Sequence, residues 1–343
     1  IQFTSNCSYS LAYIDSQNVF VETQVPSVPA FSIGVPFHGL KGLCMTKSST
    51  GDLLASGGCD RDVLLWRLID HKLVCVESLQ AVDSGTHAVC FYDKESLLFA
   101  GGSKEFLYVW KLQDNDKLFR LNIFLVGDNK FYKLRVTTLT VTDDLKLFIG
   151  MSDASIRVFD YSIEKNELIF KQKIELKGVP ISSSYTQESD VVAFSTSTGD
   201  VYWIYHNDKI YSKRLCNNGV YCIRTFLYQE KFYSITSSDD GNVIIWRIEQ
   251  NEDDLNENEI LKISKGHTGG VKALAMEVKD NQLRLLSFSY DQKAVIYNID
   301  LDTFRIIRQR EYPVSVSDGI ACEFVQDGFV VFGFAIQYIK TEE

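Results

Sequence analysis

The feature that most constrains this sequence is an internal repeat. Two short apolar runs joined by a turn rich in Gly, Asp or Ser appear at Leu53–Trp66, return at Leu97–Trp110, and close each time on an aromatic or aliphatic residue. The closing positions are 66, 110, 159, 204, 246, 297 and 339, so neighbouring copies are 42 to 51 residues apart. A regular period in this range indicates a repeat architecture with one structural unit per period.

Each unit predicts four β-strands. Around the first copy, Leu40–Thr46 and Lys72–Leu79 are two further strand-like runs, and no run of the chain sustains the i, i+3, i+4 apolar spacing of a helix. A four-stranded sheet that is apolar on both faces must pack between two other sheets, and a ring of such sheets satisfies this. The sequence therefore predicts an all-β, seven-bladed β-propeller.

Closure of the ring sets the predicted domain boundaries. The last copy, Phe329–Ile339, lacks a fourth strand, while Ala30–Phe37 is a lone strand before the first complete unit. Because one blade built from both chain ends closes the ring, we predict a propeller over residues 30–343. Residues 1–29 are predicted to be a leading hairpin and linker. They are either the tail of a preceding propeller, which we favour, or an extra partial blade.

Polar residues recur at fixed spacing inside the units. Ser56, Asp60 and Trp66 are separated by four and six residues, the spacing returns in the fifth and sixth units, and a histidine precedes the first and sixth. This pattern resembles the WD-repeat family, in which these residue types form a hydrogen-bonded set within a blade. The positions that carry the resemblance are His38, Ser56, Asp60, Trp66, Thr236, Asp240, Trp246, His267, Ser287, Asp291 and Tyr297.

The polar pattern is degenerate in other units. Lys104 and Thr198 stand where the aspartate is expected, and Trp203 is one place away from the expected tryptophan position. The apolar strands are intact in these units, so we expect them to lose local hydrogen bonds and to keep the fold.

Charge and composition narrow the function. Asp and Glu number 45 against 35 Lys and Arg, and this net charge of -10 argues against a protein whose whole surface coats nucleic acid. Six of the acids lie within Glu249–Glu259, which we interpret as a solvated loop insertion. Eight cysteines without a C-x-x-C pair, and no apolar run of membrane length, predict a cytoplasmic protein with reduced thiols and no membrane contact.

The sequence contains no convergent catalytic set. The five histidines lack metal-ligand spacing, and no Gly-rich phosphate loop, G-x-S-x-G or H-E-x-x-H motif occurs. The aspartates of the repeat lie in equivalent turns, where holding the turn is their expected role. We predict no metal, no cofactor and no catalysis by this chain.

One basic run precedes the third unit. It contains Lys130, Lys133 and Arg135, and on a strand Lys133 and Arg135 would point the same way. A strand end at the channel mouth could then present a cationic pair to a phosphate or a partner. The alternative is scattered, solvated surface charge.

Seven segments, taken in order, carry a closer resemblance over residues 36–339. They are Pro36–Gly39, Leu98–Ser103, Lys130–Val136, Gly266–Lys272, Ser289–Lys293, Pro313–Asp318 and Val330–Gln337. On these segments the chain resembles the last propeller of the large multi-propeller WD-repeat protein that partners the tRNA 2′-O-ribose methyltransferase acting on the first anticodon nucleotide. The resemblance implies a non-catalytic subunit that docks the methyltransferase, which would carry S-adenosylmethionine, and helps to position tRNA.

Two other classes of function stay open. A general WD-repeat scaffold, such as a ubiquitin-ligase substrate receptor or a trafficking adaptor, would bind peptides on the propeller face. A propeller enzyme would need carboxylates or a metal ion converging on the channel.

Overall fold

The computed structural model describes residues 10–14, 20–24, 42–49, 53–80, 85–114, 116–128, 134–205, 209–250 and 255–341. These residues are nearly all β-strand, with two short 3₁₀-helices at Asp93–Glu95 and Gln187–Ser189. The strands group into seven sheets, each built from three or four strands that are consecutive in the chain, and the first two strands of the chain add to the edge of the sixth sheet. We call these sheets blades 1 to 7.

The first two strands precede blade 1, and each blade begins with its innermost strand. The leading strands are β1 (Ser10–Ile14) and β2 (Phe20–Gln24). Blades 1 to 3 are built from β3 (Gly42–Lys47), β4 (Leu53–Gly58), β5 (Asp62–Ile69), β6 (Lys72–Gln80), β7 (Thr86–Tyr92), β8 (Leu97–Gly102), β9 (Phe106–Leu112), β10 (Leu118–Leu125), β11 (Val136–Val141), β12 (Lys146–Met151), β13 (Ser155–Ser162) and β14 (Glu167–Glu175).

The remaining blades repeat this arrangement. Blades 4 to 7 are built from β15 (Pro180–Thr186), β16 (Val191–Thr196), β17 (Asp200–Tyr205), β18 (Ile210–Arg214), β19 (Val220–Tyr228), β20 (Lys231–Ser238), β21 (Val243–Gln250), β22 (Leu255–Ile263), β23 (Val271–Lys279), β24 (Gln282–Ser289), β25 (Lys293–Asp300), β26 (Arg305–Pro313), β27 (Ala321–Val325), β28 (Gly328–Phe332) and β29 (Ile336–Lys340).

The core lies in the two middle strands of each blade. Every residue of β4, β8 and β16 is buried, whereas most residues of the outermost strand β14 are exposed. A middle strand has a neighbouring blade on both faces, so it carries a continuous apolar run. These runs are the ones that reveal the repeat in the sequence.

The innermost strands form a closed ring around a channel. Strands β3, β7, β11, β15, β19, β23 and β27 contact one another in this order, and β27 also contacts β3. At the closure the Gly42 N–H donates a hydrogen bond of 3.0 Å to the Gly333 carbonyl oxygen. The prediction of an all-β, seven-bladed β-propeller is confirmed.

The chain ends are described in part. Strand β1 pairs antiparallel with β2, and β2 pairs in parallel with β26, the outermost strand of blade 6. Blade 7 has three described strands, and the fourth strand predicted at residues 30–37 lies outside the described residues. The assignment of residues 1–29 to a preceding propeller stays a prediction.

The acidic run is placed differently from our expectation. Strand β21 reaches Gln250 and β22 begins at Leu255, so Glu249, Glu257 and Glu259 belong to paired strands and the loop interpretation is wrong for them. An outermost strand has solvent along its edge and tolerates charge there. Residues 251–254 of the run lie outside the described residues.

Candidate functional site

In two of the predicted hydrogen-bonded sets, the tryptophan indole donates a hydrogen bond to the Ser or Thr hydroxyl. The Trp66 indole N–H donates to Ser56 Oγ over 2.8 Å in blade 1, and the Trp246 indole N–H donates to Thr236 Oγ1 over 2.8 Å in blade 5. Asp60 accepts the Asp62 backbone N–H at 3.3 Å. The structure therefore gives these residues contacts within their own blades, while His38 lies outside the described residues.

Asp240 is held without a histidine. Its carboxylate accepts hydrogen bonds from the Ser238 hydroxyl, from the Asn242 backbone N–H at 3.1 Å and from Asn242 Nδ2 at 2.5 Å. Burial favours a higher pKa for Asp240, but the hydrogen bonds from Ser238 and Asn242 outweigh it and lower the pKa. The carboxylate therefore fixes the turn between β20 and β21.

Blade 6 contains a complete His–Ser–Asp arrangement. His267 Nδ1 lies 3.2 Å from both carboxylate oxygens of Asp291, and His267 Nε2 lies 2.7 Å from Ser287 Oγ. Asp291 also accepts backbone N–H groups from Thr268 at 2.9 Å and from Lys293 at 3.1 Å. Burial opposes ionisation, yet the hydrogen bond and charge of His267 and the two backbone donors lower the pKa of Asp291 to about 2.

This arrangement has the connectivity of a nucleophilic triad but is sealed from solvent. Ser287 is 0% exposed, so no substrate carbonyl can reach its hydroxyl. The buried Tyr297 ring packs against the same segment, since a Cβ added at Gly266 would lie 1.8 Å from its hydroxyl oxygen. The set joins the loop before β23 to the turn between β24 and β25, which is a structural role.

In the degenerate units, other carboxylates form hydrogen bonds in place of the missing turn aspartate. The repeat spacing does not predict which residues these are. In blade 2, next to Lys104, the buried Glu105 accepts the Leu134 backbone N–H at 3.2 Å and so reaches the loop that leads into blade 3. In blade 4, Thr198 donates to Asp200 at 2.8 Å. Each substitute carboxylate lies one or two residues beyond the expected position.

Of the predicted basic run, only Arg135 is described. Arg135 is exposed, lines the channel, and donates its backbone N–H to Ser152 Oγ at 2.9 Å. Burial, together with the positive charge of Arg135, lowers the pKa of the neighbouring His87. Lys130 and Lys133 lie outside the described residues.

Basic residues on two outer strands, β14 and β18, lie close to acidic side chains. Lys171 Nζ lies 2.6 Å from Asp160, Lys173 Nζ lies 2.7 Å from Glu175, and Lys213 Nζ lies 3.2 Å from Glu257. Because each charge already has a nearby counter-charge, these strands do not form a continuous basic surface for nucleic acid.

The central channel is a cavity that could receive a partner. It encloses about 720 Å³. The innermost strands begin at the same end of the channel, which we call the upper mouth. It is lined by the second residue of β3, β7, β11, β15, β19 and β23 and by the residue directly before β27. These residues are Leu43, His87, Thr137, Ile181, Tyr221, Lys272 and Ile320.

Lys272 lies between two tyrosine rings at the upper mouth. Its Nζ is 2.7 Å from the centroid of the Tyr221 ring and 4.5 Å from that of the Tyr290 ring, which is a double cation–π contact. The Tyr221 hydroxyl donates to Asp239 at 2.9 Å. Burial and the Asp239 carboxylate raise the pKa of Tyr221 to about 12, and burial and the charge of Asp318 raise that of Tyr290.

A pair of oppositely charged side chains also lies within the channel. Arg224 on β19 faces Glu323 on β27 with 3.9 Å between Nη2 and Oε1. Burial raises the pKa of Glu323, although Arg224 and Lys47 act against it. Lys47 Nζ donates to the Phe324 carbonyl oxygen at 2.7 Å, which joins blade 1 to blade 7.

The tyrosine–lysine cluster was not among the sites predicted from the sequence. Tyr221 and Lys272 occupy the same position in consecutive units, directly after Val220 and Val271, the first residues of β19 and β23. Aligning the starts of the innermost strands would have brought them together.

Two other kinds of site are not found among the described residues. Within the part of the chain that the structure describes, no three His, Cys, Asp or Glu side chains are grouped to hold a metal ion. In the same residues, no helix has the length and apolar character needed to span a membrane.

Comparisons with known proteins agree with this architecture. Residues 37–67 match the family model "WD domain, G-beta repeat". No curated protein sequence matches the chain. Among solved structures, the Cps50 (Swd1) β-propeller domain from Myceliophteria thermophila superposes with a TM-score of 0.68 and 13% identity, covering 91% of this chain and 99% of that one.

Two further structures have the same fold. The RRP9 WD40 repeats superpose with a TM-score of 0.66 and 12% identity, covering 87% of this chain and 88% of theirs. U3-55K superposes with a TM-score of 0.66 and 13% identity, covering 87% of this chain and 89% of that one. The chain is therefore a seven-bladed β-propeller with one WD40-type repeat matched at residues 37–67, and it shares its fold with these three solved structures.

Proposed function

We propose that the chain is a non-catalytic accessory subunit that binds a tRNA 2′-O-ribose methyltransferase and helps to position tRNA for modification in the anticodon loop. The proposal is based on the geometry of the upper mouth, where Lys272 lies between the rings of Tyr221 and Tyr290. The ordered resemblance over residues 36–339 indicates the partner. S-adenosylmethionine and the active site belong to that partner.

The upper mouth has the properties of a protein-binding hot spot. Tyr290 is 47% exposed, and tyrosine offers a large, rigid contact area at a small entropic cost. The Lys272 ammonium is already placed by its two ring contacts, so little side-chain freedom is lost when a partner binds.

The contact with tRNA is proposed for the same end of the channel. Arg135 lines the channel there, and Lys130 and Lys133 precede it in the sequence. Because the basic residues of β14 and β18 are paired with neighbouring acids, we favour this rim over those strands as the surface that contacts tRNA phosphates or the partner.

A matched pair of tyrosine variants tests the docking surface. Tyr221 and Tyr228 lie at opposite ends of β19, and each donates its hydroxyl to an aspartate, Asp239 at 2.9 Å and Asp302 at 2.7 Å. We expect Tyr221→Ala to weaken methyltransferase binding about tenfold or more and Tyr228→Ala to leave it unchanged. The measurement is the dissociation constant of the purified complex, with circular dichroism as the folding control.

The identity of the partner is tested separately. The full-length protein is purified from its source cells, its bound proteins are identified, and 2′-O-methylation of the anticodon loop is measured in cells that lack it. Absence of a methyltransferase together with intact methylation contradicts the proposal. A different partner whose binding depends on Tyr221 would instead favour the general scaffold.

A further inference from the structure

A second cavity lies between blades 6 and 7 and shares no residue with the channel. It encloses about 720 Å³, and its walls come from β24, β25 and β26 on one side and from the β27–β28 turn and the end of β29 in blade 7 on the other. We call it the basic cavity, because one carboxylate, Asp327, lines it together with four cationic side chains. These are Arg284, Arg308, Arg310 and Lys340.

The strand register places three of the polar side chains in one row. Asn298 on β25 is the register partner of Arg284 on β24 and of Arg308 on β26. Paired residues on adjacent strands share a face of the sheet, and two strand spacings separate the Cα atoms of Arg284 and Arg308 by about 10 Å. Arg310 follows on the same face, two residues along β26.

Arg284 is fixed by both blades. Its Nη2 donates to Thr341 Oγ1 of blade 7 at 3.2 Å, and its guanidinium carbon lies 4.5 Å from the centroid of the Phe324 ring. Its Nη1 also lies 3.3 Å from a Glu277 carboxylate oxygen. The guanidinium is thus positioned before any ligand arrives, which reduces the entropic cost of binding.

Asn298 adds a neutral polar group to the wall. Its Oδ1 is buried and has no hydrogen-bond partner among the described residues. A buried polar atom without a partner costs free energy, so such a position points to a missing partner. Rotating the side-chain amide by 180° exchanges the positions of its oxygen and nitrogen. In that orientation Asn298 offers an N–H donor to an anion in the cavity.

We propose that the basic cavity binds a multiply charged phosphate anion. Arginine forks suit phosphate oxygens because they donate two parallel hydrogen bonds, and the volume lies in the range of small-ligand sites. The cationic groups converge on a concave wall, and Arg310 is only 9% exposed, which favours a free polyphosphate over the phosphates of an RNA backbone. The proposal does not depend on the methyltransferase role.

The test is calorimetric titration of the full chain with sodium tripolyphosphate at fixed, low ionic strength. We expect one site per chain. Arg308→Gln in blade 6 and Lys340→Gln in blade 7 should each weaken binding about tenfold or more, since each removes a charge-assisted contact. The matched control is Arg305→Gln, which removes the same charge from β26 at an exposed position outside the cavity and should change the affinity less than twofold.

Three results would overturn the proposal. One is no binding by the unsubstituted chain at millimolar tripolyphosphate. Another is an equal loss in Arg305→Gln, which would indicate general charge attraction. The third is binding of a tRNA transcript that depends on Arg308 and Lys340 while tripolyphosphate does not bind, which would assign the cations to an RNA backbone. Lys340 is exposed, so its substitution keeps the test valid if another variant misfolds.

Discussion

At the scale of single residues, the turn aspartates perform one task with different partners. Asp240 uses Ser238 and Asn242, whereas Asp291 uses His267 and the Thr268 backbone. In both turns burial disfavours the charged carboxylate and several donors more than compensate, so both pKa values fall. The histidine is therefore one of several ways to stabilise a buried turn carboxylate.

The depressed pKa of Asp291 predicts a defined loss of stability in acid. Its folded value of about 2 lies below the ordinary 3.8, so its contribution is complete above about pH 4 and is lost as pH falls toward 2. The difference corresponds to about 2 kcal/mol at pH 7. We expect Asp291→Asn to lower the free energy of unfolding by about that amount at pH 7 and by about half of it at pH 3.

Urea denaturation over this pH range measures the effect. The control is Asp114→Asn, which changes an exposed carboxylate in the turn after β9 and should shift the curve by less than about 0.5 kcal/mol at every pH. A loss in Asp291→Asn that does not vary with pH would show that the substitution acts through shape and not through charge.

Residue partners within one unit were predictable, and partners in different units were not. Ser56 and Trp66 are ten residues apart on paired strands, so their spacing alone places them together. Glu105 bonds to Leu134 in the loop toward the next blade, and this contact depends on how two blades pack. No spacing rule within a unit contains that information.

At the scale of strands, a shift of one residue moves a side chain to the other face of its blade. Trp203 is one place away from the repeat position, and its indole N–H donates over 2.9 Å to Ser234 Oγ on β20 of blade 5. Successive side chains of a strand point to opposite faces, so the displaced tryptophan faces the next blade. The bond that is internal in blades 1 and 5 thus becomes a link between blades 4 and 5.

This link predicts a measurable loss when the indole N–H is removed. Trp203 and Ser234 are fully buried, so Trp203→Phe leaves the serine without its donor and should lower the free energy of unfolding by about 2 kcal/mol. Tyr202→Phe is the matched control, because it removes one hydroxyl from the opposite face of β17. This hydroxyl accepts a partly buried hydrogen bond of 2.9 Å from the backbone N–H of Lys177, an exposed residue.

Water can replace the Tyr202 hydroxyl, so we expect that control to lose less than about 1 kcal/mol. Equal losses from the two substitutions, measured by chemical denaturation, would count against a stabilising link between the blades.

At the scale of the whole molecule, the ring is held by pairs of one large and one small residue between neighbouring blades. In blades 1 to 3, a glycine near the end of the second strand packs on a larger side chain of the next blade. In blades 6 and 7, the second strand supplies a phenylalanine and the next blade supplies the glycine. The pairs are Gly57 with Thr86, Gly101 with Val136, Gly150 with Pro180, Phe288 with Gly319, and Phe332 with Gly42.

The period of the sequence predicted the number of blades, because each unit contains its own four strands. It could not predict these pairs or the cluster at the upper mouth, because both depend on how one blade is rotated against the next. The glycines of the repeat are visible in the sequence, but the residues that fill the space above them lie about thirty or more positions away.

The pair at the closure predicts coupling between the two ends of the propeller. A Cβ added at Gly42 would lie 2.3 Å from the buried Phe332 ring, so Gly42→Val should destabilise the protein by about 1–3 kcal/mol through overpacking. Phe332→Ala should cost about 3–5 kcal/mol through the cavity it leaves. In the double variant the valine enters that cavity. The loss measured for the double variant should therefore be smaller than the sum of the two single-variant losses by at least about 1 kcal/mol.

The control cycle combines Gly42→Val with Phe288→Ala. Phe288 occupies the equivalent position in blade 6 and packs on Gly319, so this pair has no shared contact and the two losses should add within about 0.5 kcal/mol. Free energies of unfolding from urea denaturation give both cycles. Coupling of equal size in the two cycles would mean that the substitutions act through the unfolded state or the whole ring, and the specific contact between blades 1 and 7 would then not be what stabilises the closure.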